Sequence, residues 1–562
     1  MSKDASAVVV EVASNEWNDT EKKNYISTES VNSQEPETED FSDIDEKKLR
    51  RKLDWRLLPL FTVLYLLSFL DRGNIGNAKI EGLAEDLNLV GNQFNMCLLI
   101  FFMFYATLEV PSNMILHRTK PQIYIPTTMV IWSIVMTLMG TVQNYHQLLA
   151  TRALLGIFEA PLFPGISYLL SMYYSKSEIL VRQAIFFSAA SSAGAFSGLL
   201  AAAISQMDGV GGYEGWRWIF ILEGLLTFVV GVYAFTCFPS YPKDCKFLTE
   251  KERRFIIHKV KYSSNSDTKR ITGGDVPVKT LAEDDSRSKS YFWAVFKDWQ
   301  VYCQLLILYG SNVPLNAISL FGPTIIYSLG YTATQSQLMG VPPFVFASIW
   351  CVTQAQISNK SGIRAPFMAF DLVCIAIGFA VCLGSDPVNS PLSVYGGIYP
   401  ISIGTAAFPL VVIWLSNNLA GSYKRAIGMA FQIGLGNFSG VFASNFYRTQ
   451  DAPYYKLGHG LGIGFAGMGI LVTGAVAASY VFINKKRSRE IAEGKYDDVP
   501  PEELMAMGDK ITIMCCSSKA KTAAPVRNET AAKTEKPTKN CCGASCKCGS
   551  SCQCASCNTT KL

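Results

Sequence analysis

About twelve stretches of roughly 20 mostly apolar residues recur along this chain, each the length an α-helix needs to cross a bilayer core. Inside lipid every backbone N–H and C=O must be satisfied internally, so stretches of this kind fold as membrane-spanning helices that pack on one another. The first group runs Leu57 to Ile75, Phe94 to Leu116, Ile123 to Val142, Leu148 to Tyr173, Ala184 to Ile204 and Trp216 to Phe238. A polar stretch from Pro239 to about Asp298 follows. The second group runs Val301 to Ser328, Met339 to Ile357, Pro366 to Leu383, Val394 to Leu415, Ala426 to Tyr447 and Leu461 to Ile483. The expected fold is an all-α membrane protein, about twelve transmembrane helices in two six-helix halves, the outline of a carrier built from repeats.

Composition agrees. Of 562 residues, 49% are hydrophobic and only 17% charged, which excludes an ordinary soluble enzyme. The net charge of +5 is spread over short connections between apolar runs, so it speaks for topology and against nucleic acid. Basic residues recur on one side: Lys47, Lys48, Arg50, Arg51 and Lys52; Arg118 and Lys120; Lys176 and Arg182; Lys360 and Arg364; Lys424 and Arg425; Lys485, Lys486, Arg487 and Arg489. The connections Gln143 to Gln147 and Ser385 to Ser393 carry none. Both termini and the central loop are therefore expected in the cytoplasm of a plasma-membrane protein.

The expected organisation is a disordered cytoplasmic head (1–52) without a cleavable signal peptide, a first half (53–238) and a central loop (239–298). A second half (299–484), a linker (485–540) and a Cys-rich tail (541–562) complete it. Within the central loop Thr249 is positioned to cap a short helix with acids in its first turn. A solvated helix on the cytoplasmic face is the expectation, a regulatory site the alternative.

Placing the spans leaves a short list of intramembrane charges: Asp71, Arg72, Glu109, Arg152, Glu159 and Glu223, all assigned to the first half. A charge at a helix centre costs roughly 2.5 to 3.5 kcal/mol on insertion scales, so Asp71 and Arg72 need a compensating environment, or else mark only the end of their helix. Arg152 and Glu159 are seven apart, two helical turns, and so project from one face. That face is expected to line a water-filled cavity shared with the first span, where Asp71 and Arg72 complete a four-charge network.

Such a network suits proton-coupled uptake of an anion. The planar fork of Arg72 matches a carboxylate and stays charged in a partly dry site. Asp71 and Glu159 are the candidates for carrying protons, with Arg152 beside them, because moving an Arg partner onto substrate changes an acid's proton occupancy. A permanent salt bridge that only fixes helix packing is the alternative.

The string Leu67-Ser68-Phe69-Leu70-Asp71-Arg72, continued by Asn74-Ile75-Gly76-Asn77-Ala78, resembles the anion:cation symporter family of the major facilitator superfamily. So do Tyr105 with Glu109-Val110-Pro111-Ser112-Asn113, Arg152 to Gly156 with Glu159-Ala160 and Phe163-Pro164-Gly165, and Gly215-Trp216-Arg217-Trp218-Ile219-Phe220 with Glu223-Gly224. The likeness covers about residues 50 to 490 and is greatest to the fungal branch with allantoate and nicotinate permeases. It implies an alternating-access carrier of small organic anions with protons, neither an enzyme nor in need of a cofactor for transport, and a monomer is expected. Its site residues map onto Asp71 and Glu159 for the proton and Arg72 for the carboxylate. Tyr105 and Asn74 are counted with the substrate contacts, and Gln432 and Asn437 as neutral contacts from the second half. The superfamily's Gly and Asp-Arg loop is reduced to Asn113-Met114-Ile115-Leu116-His117-Arg118-Thr119-Lys120. A gate built on that acid is not expected.

Cys541, Cys542, Cys546, Cys548, Cys552, Cys554 and Cys557 crowd the tail. Repeated Cys-x-Cys places thiolates close enough to share soft metal ions, and the string resembles a fungal metallothionein, for which Cu(I) or Zn is the natural partner. S-acylation and an unliganded tail are the alternatives. For the whole chain, a non-transporting nutrient receptor or metal-responsive sensor with a carrier fold is the competing reading.

Overall fold

The computed structural model describes residues 41 to 493 except positions 42, 264–292, 294, 362, 405, 420 and 421. The metal expectation on Cys541 to Cys557 lies outside the described residues, as do the head up to residue 40 and nearly all of the linker.

The first half is built from α1 (Glu46–Ala78), α2 (Gln93–Arg118), α3 (Pro121–Met139), α4 (Tyr145–Glu159), α5 (Leu162–Tyr173), α6 (Lys176–Ile204) and α7 (Gly215–Cys237). A connecting helix, α8 (Glu250–Ser263), precedes the second half: α9 (Trp299–Tyr327), α10 (Ala333–Ser361), α11 (Ala365–Gly384), α12 (Pro391–Gly404), α13 (Ala407–Asn418), α14 (Ser422–Gly436), α15 (Ser439–Ala443) and α16 (Lys456–Ala492). Among the described residues eleven helical stretches are long and apolar enough to cross a membrane, and Ile427–Ala443 is a shorter apolar one. Each of the twelve apolar windows falls on one of these.

Three spans are broken. The fourth stops at Glu159 and resumes at Leu162, because Pro161 has no N–H to give the preceding turn and Pro164 removes a second donor. The eleventh breaks at Asn437 and Phe438, after Gly434 and Gly436 have weakened the helix. The tenth is split between α12 and α13. The first span, in contrast, is longer than its apolar window. Asp45 caps it by accepting from the N–H groups of Lys47 (2.9 Å) and Lys48 (3.1 Å), and it runs on past Ala78 through a π-turn, Lys79–Leu83, to Asp86. Asp71 and Arg72 therefore lie well inside the helix, which corrects the helix-end alternative.

The Gly215-Trp216-Arg217 string is structural. Arg217 donates to the carbonyls of Gly140 (3.3 Å) and Val142 (2.5 Å), satisfying orphan acceptors where α3 ends. Trp216 Nε1 donates to Asp86 at 2.6 Å, tying the end of the first span to α7. The reduced loop after α2 also finds its explanation: α2 continues to Arg118 and only Thr119 and Lys120 separate it from α3.

Two faces can be told apart. On the basic face, which carries the start of α1, helix α8 is bound to the first half by Lys52–Glu252 (2.7 Å), Lys259–Glu46 (2.8 Å) and Lys259–Glu178 (2.9 Å). Thr249 and Glu252 form the expected cap, the Thr249 N–H donating to Glu252 (2.8 Å) and the Glu252 N–H to the Thr249 hydroxyl (3.3 Å). Burial pushes the carboxyls of Glu178 and Glu252 up. Hydrogen bonds from Lys259 and Ser175 to the former, and from Lys52 and Thr249 to the latter, outweigh it and hold both below the ordinary glutamate range.

On the far face the halves meet closely. A Cβ on Gly76 would stand 2.5 Å from the Leu320 carbonyl oxygen, and one on Gly198 2.4 Å from that of Gln337, so only glycine allows these backbones to touch. Asn95 donates to the carbonyls of Ser444 (2.7 Å) and Tyr447 (3.2 Å), and Gln337 to Glu81 (2.8 Å), all across the two halves.

Candidate functional site

Arg72 lies at the centre. Consecutive residues on a helix point about 100° apart, and this turns Asp71 and Arg72 to different neighbours. The face of Arg72, with Tyr65 and Phe69, looks onto a cavity between the halves, whereas Asp71 and Asn74, three apart, look back into the first half. Arg72 Nη2 donates to Glu159 Oε1 at 2.6 Å, and Ser68 Oγ donates to the same oxygen at 2.6 Å. The break after α4 leaves Glu159 at a helix end, facing α1. Both charges are buried, with the Arg72 side chain 9% exposed and that of Glu159 not exposed at all.

Aromatic rings surround the guanidinium: its Cζ is 4.6 Å from the ring centre of Phe69, 4.7 Å from Tyr105 and 5.4 Å from Phe101. Such contacts stabilise a desolvated cation by about 0.5 to 2 kcal/mol each. The cavity continues past Phe102 to the second half, where Asn312, Asn316 and Asn437 form its polar wall. Ser439 organises that wall, accepting from Asn312 Nδ2 (2.8 Å) and Asn316 Nδ2 (3.0 Å). Toward the basic face, Phe408 of α13 stacks on Phe187 (4.2 Å between centres, 12° between planes) and meets Phe163 edge-on (6.2 Å), one aromatic layer contributed by both halves. The lining thus presents a cation at one end, aromatic walls between, and hydrogen-bonding amides at the other.

Among the described residues the four charges are not joined by direct hydrogen bonds or ion pairs into one network, and the reason is helical geometry. Asp71 accepts from Trp132 Nε1 (2.9 Å) and Thr227 Oγ1 (3.1 Å) within the first half, behind the cavity. Arg152 does share the buried side of the fourth span with Glu159, but lies two turns away, with its Cζ 6.0 Å from the Phe220 ring, and forms no ion pair among the described residues. Asn74 donates to Glu223 (2.6 Å) and accepts from Ser197 (3.2 Å), so it does not reach the cavity. Gln432 is buried against the Gln304 carbonyl (3.2 Å) and also stays outside it. Arg72, Tyr105 and Asn437 do line it.

Sequence reasoning missed Asn312 and Asn316, although two amides four apart in an apolar span are a readable signal. It missed Phe163, Phe187 and Phe408, because an aromatic in a membrane span carries no mark of which side it faces. Asp371 was also overlooked: this lone acid in the apolar run of α11 accepts from Trp350 (3.0 Å) and Gln354 (2.5 Å), so buried acids are not confined to the first half. It lies away from the cavity, and its bonds stay within the second half.

A family model, Major Facilitator Superfamily, matches residues 61–444. The MFS-type transporter cnsO of Penicillium expansum is 34% identical over 84% of this chain and 90% of its own length. The high-affinity nicotinic acid transporter of Saccharomyces cerevisiae is 30% identical over 76% of this chain and 77% of its own length. Among solved structures, the proton:xylose symporter XylE aligns over 81% of this chain and 99% of its own, with a TM-score of 0.54 at 14% identity. A bacterial homologue of the human lysosomal transporter Spinster, in an inward-facing and unoccupied form, gives a TM-score of 0.56, also at 14% identity, over 76% of this chain.

Proposed function

The chain belongs to the major facilitator superfamily, and on that premise we propose that it is a proton-coupled carrier of a small organic carboxylate, working by alternating access with both termini in the cytoplasm. The observation that carries this reading is the buried Arg72–Glu159 pair, whose Arg72 lines a cavity between the halves and faces amides on the opposite wall.

The chemistry follows from competition for one cation. While Glu159 is ionised it occupies Arg72, and a substrate carboxylate must displace it. A proton on Glu159 removes its charge and releases the guanidinium, so anion and proton are bound together and neither charge is left unpaired in a desolvated site. Tyr105 flanks the anion, and Asn312, Asn316 and Asn437 complete the site from the second half. Asp71 acts from behind the cavity, as a second protonatable group within the first half, with Arg152 as a fixed positive charge nearby.

Nicotinate is the first substrate to test, given the name of the yeast relative, with allantoate, pantothenate, biotin and small peptides beside it. Purified protein in liposomes with an acidic exterior should accumulate at least one of these, and Arg72→Ala should abolish uptake. Equal uptake by Arg72→Ala would sink the assignment. Plasma-membrane residence and a monomeric state belong to the same proposal, and fluorescence microscopy of a tagged chain with light scattering of the purified protein tests them.

For the Cys-rich tail the proposal is Cu(I) or Zn binding by Cys541, Cys542, Cys546, Cys548, Cys552, Cys554 and Cys557, supported by the Cys-x-Cys spacing alone. Metal analysis of the full chain against one truncated after residue 540, under reducing conditions, should show copper or zinc lost with the tail.

A further inference from the structure

Five acids are buried in the membrane-spanning part of the described structure: Asp71, Glu109, Glu159, Glu223 and Asp371. Four of them make their hydrogen bonds within one half. Asp71 is held by Trp132 and Thr227, Glu159 by Ser68 and Arg72, and Glu223 by Asn74, all in the first half, and Asp371 by Trp350 and Gln354 in the second. Glu109 alone among these reaches across. Its Oε2 accepts from Asn437 Nδ2 of the opposite half at 2.5 Å. Glu81 also bonds across the halves, to Gln337, but at the partly exposed rim of the far face.

The position of this bond along the helices matters. Helix α2 and the broken eleventh span touch at successive levels from the far face inward: Asn95 with the Ser444 and Tyr447 carbonyls, Phe102 against Gly440, then Glu109 with Asn437. Below Glu109 a Cβ added to Gly434 would find Val110 at an ordinary 3.8 Å. Among the described residues, Glu109 and Asn437 thus form the polar contact of this seam nearest the basic face. Asn437 sits at the break between α14 and α15, and it lines the cavity.

We propose that Glu109 is a proton-dependent latch between the halves, closed on Asn437 when protonated and parted when ionised, so that its charge state sets whether the cavity opens toward the basic face. The inference rests on the proton-coupled reading and adds to it a residue which that reading does not use. A carboxylate sealed between two halves is taken out of water, and an ionised one loses more by this than a neutral one. Parting the seam returns it to water. Protonation therefore favours the closed seam, and ionisation the open one. The proton balance is simple: Glu109 takes a proton from water on the acidic side and returns it to water on the other, with no bond other than O–H made or broken.

Among the described residues, the titratable and charged groups facing Glu109 are Arg72 and Tyr65 of α1 and Tyr105 of α2, with Glu159 of α4 beyond Arg72. Helices α14 and α15 face it with the neutral Asn437. When a substrate anion engages Arg72, the positive charge nearest Glu109 is neutralised, which favours the protonated latch and joins it to the binding step.

The test needs no substrate. Donor and acceptor dyes are coupled to genetically encoded azido residues at positions 120 and 360, exposed lysine sites at the basic ends of the first and second halves. Single-molecule energy transfer is then read in liposomes between about pH 5.5 and about pH 8. Wild type should open as pH rises, its open-to-closed ratio changing by up to about tenfold per pH unit, the limit for one proton. Glu109→Gln should stay closed throughout, and Glu159→Gln should still open. A wild type that does not respond, or a Glu109→Gln variant that responds as wild type does, overturns the latch. Should Glu109→Gln fail to yield folded protein, Asn437→Asp replaces it. Two carboxylates at that distance share one proton, so the opening midpoint must move to higher pH, and an unmoved midpoint overturns the proposal. Failure of every candidate substrate to accumulate would count against the carrier reading and leave this readout intact.

Discussion

Replacing Glu159 by Gln keeps the side chain's shape and one hydrogen-bond acceptor for Arg72 while deleting the charge that competes with a substrate carboxylate. The structure sets the scale. With opposite charges about 4 Å apart and an effective dielectric of about 20, their attraction is about 4 kcal/mol. Part of the competition persists in the variant, because the amide oxygen at position 159 still accepts a hydrogen bond from Arg72. An anion that no longer displaces Glu159 should therefore bind more tightly by about 2 kcal/mol at neutral pH, roughly thirtyfold. The pH dependence is the sharper part. In wild type, release of Arg72 requires a proton on Glu159, so affinity should rise as pH falls, with a limiting slope of about tenfold per pH unit. In Glu159→Gln that slope should vanish. Equilibrium binding of radiolabelled nicotinate to purified protein, between about pH 5 and about pH 8, reads both quantities. A variant that keeps the wild-type slope would refute the competition at Arg72, and so would a wild type whose affinity is flat with pH.

Substitutions at the glycines should separate conformational from structural effects. Gly76→Val and Gly198→Val drive a side chain into the carbonyls of Leu320 and Gln337, where the halves meet on the far face. Both should fold yet fail to close there, read as labelling, from that side, of a cysteine introduced at Asn316 in the cavity wall. Gly156→Val meets the Phe101 carbonyl, 2.4 Å from its Cβ, inside the first half, and should instead lower stability by about 1 to 3 kcal/mol in SDS unfolding. Trp132→Phe removes a donor from buried Asp71; it should cost about 1 to 3 kcal/mol of stability and leave substrate affinity unchanged, because Asp71 stands behind the cavity. The carboxyls of Glu178 and Glu252 are held below their ordinary range, so the docking they stabilise is fully present above the unfolded glutamate value of about 4.3 and is lost as pH falls through the folded values. Energy transfer between labels on α1 and α8 should fall on acidification below about pH 4, and remain steady from there to neutrality.

How far the sequence could be read depended on which physical rule governed each feature. Span positions follow from the thickness of a bilayer and the satisfaction of backbone groups, both one-dimensional constraints, and each of the twelve apolar windows falls on a helix or on a pair of helices broken at Pro161, Asn437 or the residues after Gly404. The cap at Thr249 was legible for the same reason, since its partner Glu252 is three residues away. The site is a question of azimuth, and there a list of charges misleads. Asp71 and Arg72 are neighbours in the chain and belong to different environments, one held by Trp132 and Thr227, the other by Glu159 and aromatic rings. The apolar residues between them and the next polar group do not reveal which way the helix turns, because in a bundle whose outer surface meets lipid both faces are apolar. What decided the azimuth was glycine: Gly76, one turn beyond Arg72, must face Leu320 of the second half, and it brings Arg72 to the same interface. A polar residue four positions from a glycine that has to touch another backbone is therefore a stronger pointer to the cavity than a polar residue beside another charge. Arg72 meets this condition and Asn74 and Asp71 do not, as the structure bears out.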